Sequence, residues 1–129
     1  MIVVAIIGIL AAISVPNYMK FQARARQSEA KVQLQSAFAA ATSYFAQYGT
    51  YNCGSCGFAP GTNTVYTYAT SSSNTWKGLN DCGTVSQAAQ STDAFTMAAS
   101  GNIDSDATCD VWTMNDANAL SNTTNDVDQ

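Results

Sequence analysis

The chain opens on an apolar run, Met1 to Val15 (MIVVAIIGILAAISV), with no charge and with only Gly8 and Ser14 to soften it. Fifteen residues of helix rise about 22 Å, short of the roughly 30 Å of a bilayer core, so on length alone the run falls just short of a span. From Asn17 to Tyr48 the sequence contains neither Gly nor Pro and is rich in Ala, Gln, Lys, Arg and Glu, all good helix formers. Within it Leu34, Phe38, Ala41, Phe45 and Tyr48 recur at alternating spacings of four and three, which predicts one apolar stripe on a polar helix. Pro16 separates the two halves. It removes one backbone donor and crowds the preceding turn, so a kink or a locally unwound stretch is expected there. Ile2 to Tyr48 therefore reads as a single interrupted helix about 70 Å long, stopped by Gly49.

Beyond Gly49 the pattern changes to short β-prone stretches in a background of Gly, Ser, Thr and Asn. Thr64 to Thr70, Ala94 to Ala99 and Asp110 to Met114 are each bounded by turn residues and predict strands. Val85 to Gln90 is a candidate short helix, and the tail from Asn115 is polar and aspartate-rich. The expected fold class is α+β: a long N-terminal helix, interrupted near Pro16, packed on a small antiparallel sheet. The chain divides into the helix, 1–48, and a head, 49–129. A total of 129 residues suits one domain.

Charged residues make up only 11% of the sequence, against about 25% in typical soluble domains, so the surface must be largely uncharged and polar. What charge there is lies unevenly. Lys20, Arg24, Arg26 and Lys31 face only Glu29 in the first 31 residues, a balance of +3, whereas the remainder sets Lys77 against eight Asp, a balance of −7. A basic neck below an acidic head fits a membrane-facing neck or a subunit whose two ends attract one another in an assembly. No specific nucleic-acid site is evident, because an acidic head repels phosphates. There is no His, which removes the usual general base, zinc ligand and nucleophile partner. No catalytic residue is expected.

Four cysteines, Cys53, Cys56, Cys82 and Cys109, sit in this small head. Two disulfides made outside the cytoplasm are the expected reading, with zinc on four thiolates as the alternative. Of three connectivities, Cys53–Cys56 with Cys82–Cys109 is expected, since the first two are close in sequence and the second two flank the sheet. Cys53-Gly-Ser-Cys56 has the spacing of a redox motif but lacks the flanking strand and helix pattern such motifs need. Asn102, Asp104, Asp106, Thr108 and Asp110 alternate through a turn-like stretch. Alternate oxygen-bearing side chains suit calcium, and Asn102, Asp104, Asp106 and Asp110 are the candidate ligands; a solvated acidic turn is the simpler alternative. No other cofactor is expected. Tyr18, Phe21, Phe38, Tyr44, Phe45, Tyr48 and Tyr51 are read as packing of neck and stripe, ahead of an electron path along an assembly.

The run MIVVAIIGILAAISVPNYMKFQARARQSEAK resembles the N-terminal segment of type IV pilins, and its later part is similar to pilins of delta-proteobacterial type. The stretch Gly101 to Asp116 is similar to the terminal strand region of some pilins and pseudopilins. The resemblance implies a structural subunit of a pilus filament, serving adhesion, twitching motility or DNA uptake. It would be a homopolymer whose precursor waits in the inner membrane for the pilus assembly machinery, and whose filament is extracellular. The alternative is a type II secretion pseudopilin, a class that binds calcium in a related loop. Assembly residues would be Ile2, Val3, Val4, Ile6, Ile7, Gly8, Ile9, Leu10, Ile13 and Pro16, with helical bonding lost between Gly8 and Pro16 on assembly. Pilins of this family carry a methylated Phe and an assembly glutamate a few residues upstream; no carboxylate in Met1 to Pro16 stands in for it, so this sequence is expected to begin inside the mature protein. The basic neck alone would favour a cytoplasmic head; in the family a basic leader, removed before assembly, outweighs it.

Overall fold

The computed structural model describes residues 1–83, 85–104 and 106–127. Thr84, Ser105 and the last two residues of the expected head lie outside that description. One helix, α1 (Ile2–Tyr48), is followed by six strands: β1 (Thr67–Ser71), β2 (Asn74–Trp76), β3 (Ala89–Gln90), β4 (Phe95–Gly101), β5 (Asp110–Asn115) and β6 (Leu120–Thr124). The strands form a single antiparallel sheet in the order β2-β1-β4-β5-β6. β3 occupies the first part of the β4 edge, pairing Ala89 with Thr96 and Gln90 with Phe95, and β1 takes the rest from Ala98 to Ser100. The fold is α+β, with the C-terminal part of a long helix lying across β4 and β5.

The helix meets the sheet through Ala23, Gln27, Ala30, Leu34, Ala37 and Ala41, all buried. Their spacing alternates between four and three, the period that keeps side chains on one helix face. Four of the six are alanine, so the helix backbone can lie close to Tyr66, Tyr68, Met97, Trp112 and Met114 on the sheet. In β5 the alternation puts Asp110, Trp112 and Met114 inward and leaves Val111, Thr113 and Asn115 half-buried. β4 is buried on both faces: Phe95, Met97 and Ala99 join the helix core, while Ala98 packs with Ala69 and Ala88 on the far side. Burying each large side chain contributes about 1.5–3 kcal/mol.

The helix stops where expected. Gly49 adopts φ 69° and donates its N–H to the Phe45 carbonyl at 2.7 Å, a left-handed cap that costs glycine little. Gly78 is required for another reason: a Cβ there would collide with the Tyr66 carbonyl.

Four sequence expectations need correction. Of the kink or unwound stretch expected at Pro16, the unwinding does not occur: α1 is helical on both sides of it, because in a single subunit the flanking turns keep their bonds and nothing outside the helix would compensate for opening them. Val85 to Gln90 is no helix; a turn leads into β3. Six residues are too few to nucleate a helix unaided, and the Gln90 side chain is tied to Gly54 by two hydrogen bonds, 3.0 Å from the Gly54 N–H and 2.9 Å to its carbonyl. The polar tail contributes an edge strand, β6, where Leu120, Asn122 and Thr124 are half-buried and Ser121 and Thr123 exposed. The apolar stripe sits differently as well: Leu34 and Ala41 are buried as expected, yet Tyr48 is 65% exposed, and the contact extends back to Ala23.

Candidate functional site

The N-terminal third of α1 packs against nothing else among the described residues. Ile2, Val3, Val4, Ile6, Ile7, Ile9, Leu10, Ile13 and Val15 are between 52% and 78% exposed. Gly8 has no neighbour around its Cα that a side chain would meet, and Pro16 closes the segment. An 18-residue window of the helix reaches a mean hydropathy of 2.1 with none of it buried. By length and composition the helix is able to cross a membrane, which corrects the shortfall estimated from Met1 to Val15 alone.

The neck is where stem and head are joined by polar contacts. Arg26 donates to the Ile103 carbonyl at 2.6 Å, and the Lys31 ammonium lies 4.8 Å from the centre of the Trp112 ring, a cation–π distance. Glu29 accepts from the Val65 N–H at 3.0 Å and from the Tyr68 hydroxyl at 3.2 Å. Burial and then the Glu29 charge push the Tyr68 hydroxyl far above its ordinary pKa. The aromatic residues toward the end of the helix pack in two separate groups: Tyr44 on Tyr48, and Phe45 stacked on Tyr51 at 4.3 Å with Tyr51 and Phe38 against Phe95. Tyr18 and Phe21 stand outside both, exposed on the neck.

In the head, Cys53 is bonded to Cys56 and Cys82 to Cys109. Gln90 reaches over the first pair, its amide 3.6 Å from Cys53 Sγ and 3.5 Å from Cys56 Sγ. The second ties the 78–83 loop to the start of β5.

The structure separates the four residues considered as calcium ligands. Asn102, Asp104 and Asp106 curl into successive turns, in which Asn102 accepts from the Asp104 N–H, Asp104 from the Asp106 N–H and Asp106 from the Thr108 N–H. Asp110 points the other way, into the core. It is fully buried and accepts from Tyr66 Oη, Trp112 Nε1, Gln27 Nε2, Asn122 Nδ2 and the Asp126 N–H. As the first residue of β5 it shares the inward face with Trp112 and Met114, and five donors hold it there. The residue that does join Asp104 and Asp106 is Asp126, from the stretch after β6; one carboxylate oxygen of each lies within 4.8 Å of the others. At such separations like charges disfavour one another, most of all for the buried member. Asp126 is fully buried, and its carboxyl is pushed up to about 6, chiefly by burial and further by Asp104 and Asp106, against the Ile103 N–H bond that lowers it. Sequence spacing could not reveal Asp126, which lies 20 residues beyond the turn it joins; only the density of carboxylates in the tail hinted at it.

A long helix with a bare apolar N-terminal segment, carrying a stapled antiparallel head on its other half, is a pilin-like architecture. The comparisons agree with it. The chain is 51% identical over 73 residues to the Type IV major pilin protein PilA of Myxococcus xanthus, a match covering 55% of this chain and 33% of that protein. It is 42% identical over 72 residues to a Fimbrial protein of Neisseria meningitidis serogroup B, covering 56% of this chain and 38% of the relative. Against the Type IV major pilin protein PilE of Neisseria gonorrhoeae it is 43% identical over 51 residues, covering 40% and 30%. The curated homologues of this chain are thus type IV major pilins, and the chain spans about a third of the length of those it matches. No protein family model matches it.

Proposed function

We propose that this chain is a structural subunit of a type IV pilus that polymerises with identical copies through its apolar stem. The observation that carries this reading is the nine exposed aliphatic side chains between Ile2 and Val15. Covering all of them is worth roughly 14 to 27 kcal/mol at 1.5–3 kcal/mol each, which exceeds most estimates of the 4–15 kcal/mol or more lost on immobilising a subunit. Before assembly the same stem fits the inner membrane, and afterwards the filament core, with the acidic head on the outside. Disulfides in the head suit an extracellular filament. Adhesion, twitching motility and DNA uptake are the roles such a filament would serve, delivered by pilus assembly machinery, and no catalytic chemistry is assigned. The named relatives are major pilins, which does not favour the pseudopilin alternative.

The test is electron microscopy of cells expressing the chain, beside a variant with Ile7→Asp. A charge at the centre of the stem is strongly unfavourable in an apolar environment, so surface filaments should be present for the parent and lost for the variant, with the head folded in both. A monodisperse monomer of the parent in detergent-free buffer at micromolar concentration would refute polymerisation.

A further inference from the structure

The cluster formed by Asp104, Asp106 and Asp126 contains a buried oxygen that no described residue satisfies. Asp126 is 0% exposed; its Oδ2 accepts from the Ile103 N–H at 3.2 Å, while its Oδ1 is buried with no hydrogen-bond donor among the described residues. A buried carboxylate oxygen without a donor is among the least favourable arrangements a fold can keep. Its two nearest titratable neighbours are themselves carboxylates, which when ionised only accept hydrogen bonds. Arg26 adjoins this loop, donating to the Ile103 carbonyl, but makes no ion pair with any of the three; among the described residues the sole ion pair is Lys77 with Asp81. The group therefore combines three carboxylates, one of them buried, with no ion-pair partner among the described residues.

We propose that Asp104, Asp106 and Asp126 hold a calcium ion, with the buried Asp126 carboxylate as the inner ligand and Asp104 and Asp106 closing the site from the solvent side. Calcium is the cation whose chemistry fits. It takes carboxylate oxygens in flexible geometry, fills its remaining positions with carbonyls and water, and binds extracellular modules at around 10⁻⁴–10⁻³ M. Asp104 and Asp106 each use Oδ1 for the turn bond to the backbone two residues on, which leaves each Oδ2 for the ion. Occupation would fasten the stretch that follows β6 to the loop before β5, a loop already held by the Cys82–Cys109 bond. The site differs from the one expected from spacing, because Asp110 serves the core and Asp126 replaces it.

The full chain, folded in detergent micelles and stripped with EGTA, is titrated with calcium chloride to about 10 mM, above the range of extracellular sites, and followed by calorimetry and thermal unfolding. One calcium per chain and a rise in melting temperature are expected, and magnesium should give a clearly smaller rise. Asp106→Asn, at an exposed position, should weaken binding at least tenfold while leaving the stripped protein at least as stable as the parent, because it removes one like charge from the cluster. Asp126→Asn should abolish binding; if that variant fails to fold, Asp104→Asn takes its place. Absence of both heat and a thermal shift across the range would overturn the proposal, as would equal responses to magnesium and calcium, or unchanged affinity in Asp104→Asn and Asp106→Asn. Repeating the titration in the Ile7→Asp variant keeps the result independent of whether the chain forms filaments.

Discussion

Gln27 and Asp110, 83 positions apart, meet inside the subunit: the Gln27 amide donates to Asp110 Oδ1 at 3.0 Å and fixes the register of helix against sheet. Around the same carboxylate converge Tyr66 and Trp112 on Oδ2, and Asn122 and the Asp126 N–H on Oδ1. One buried charge thus links α1, β1's approach, β5, β6 and the residues after β6. Asp110→Asn places an amide where only acceptors fit and should cost about 3 kcal/mol, since hydrogen bonds to a charged group contribute about 1.5–3 kcal/mol and stranded donors add to the loss. Asp116→Asn, at an exposed turn position, should change stability by less than about 0.5 kcal/mol. Urea unfolding of the two variants in the same detergent makes the comparison.

The closeness of helix and sheet depends on alanine. Ala30 is 0% exposed in the middle of the contact face, and Val32, two positions on, is 67% exposed. Ala30→Leu should overpack the core and cost about 1–3 kcal/mol, whereas Val32→Leu should be within about 0.5 kcal/mol of the parent. Leu34→Ala, which opens a void at the same interface, should cost about 2–5 kcal/mol. Thermal unfolding read by tryptophan fluorescence would report all three, since Trp112 lies in this core. Equal effects at positions 30 and 32 would show that the face is assigned wrongly.

These two sites show what the sequence could and could not convey. The helix was legible because its stop at Gly49 and its freedom from Pro and Gly after Asn17 are local signals. β5 was legible because Val111 and Thr113 alternate with Trp112 and Met114 and are β-prone. The helix face between Ala23 and Ala30 was not, because alanine and glutamine there are as common on exposed helices as on buried ones, and only the sheet decides. β6 carries Ser, Asn and Thr on a partly exposed edge, so it has almost no apolar alternation to detect. The acidic loop was visible as a spacing, but which carboxylate turns inward depends on the β5 register, and Asp126 arrives through a hairpin that no spacing encodes.

The 78–83 loop should make stability sensitive to strong acid. Asp81 is lowered from an ordinary 3.8 to about 2, first by Lys77, whose ammonium is 2.9 Å away, then by the Gly83 N–H and the Thr67 hydroxyl. Its native value lies below its unfolded one, so its contribution is complete above about pH 4 and is lost as the pH falls from there towards 2. Lys77 is largely exposed, so the effect is small and weakens with salt. Asp81→Asn should flatten this part of the pH–stability curve without altering the plateau's slope near neutrality. An unchanged acid limb in the variant would remove Asp81 from the explanation.

The stem offers a mechanical prediction. In the single subunit the helix is continuous from Ile2 through Pro16, although Pro16 leaves the Ala12 carbonyl without its usual donor and Gly8 has low helix propensity. The segment between them is therefore held at both ends by weak points, and its neighbours determine whether it stays helical. The resemblance to type IV pilins implies that this segment loses helical bonding in a filament, where side chains of adjacent copies would cover Ile9, Leu10 and Ile13. The loss should be partial, because unpaired backbone groups are costly in a dry core. Hydrogen exchange separates the two states: amides from Gly8 to Val15 should be protected in the detergent-bound subunit and several should lose protection in filaments. Equal protection in both would mean that the helix enters the filament intact. Pro16→Ala restores the missing donor, so its filaments should keep that protection and extend less under force. Identical extensibility of Pro16→Ala and parent filaments would deny the proline any mechanical role.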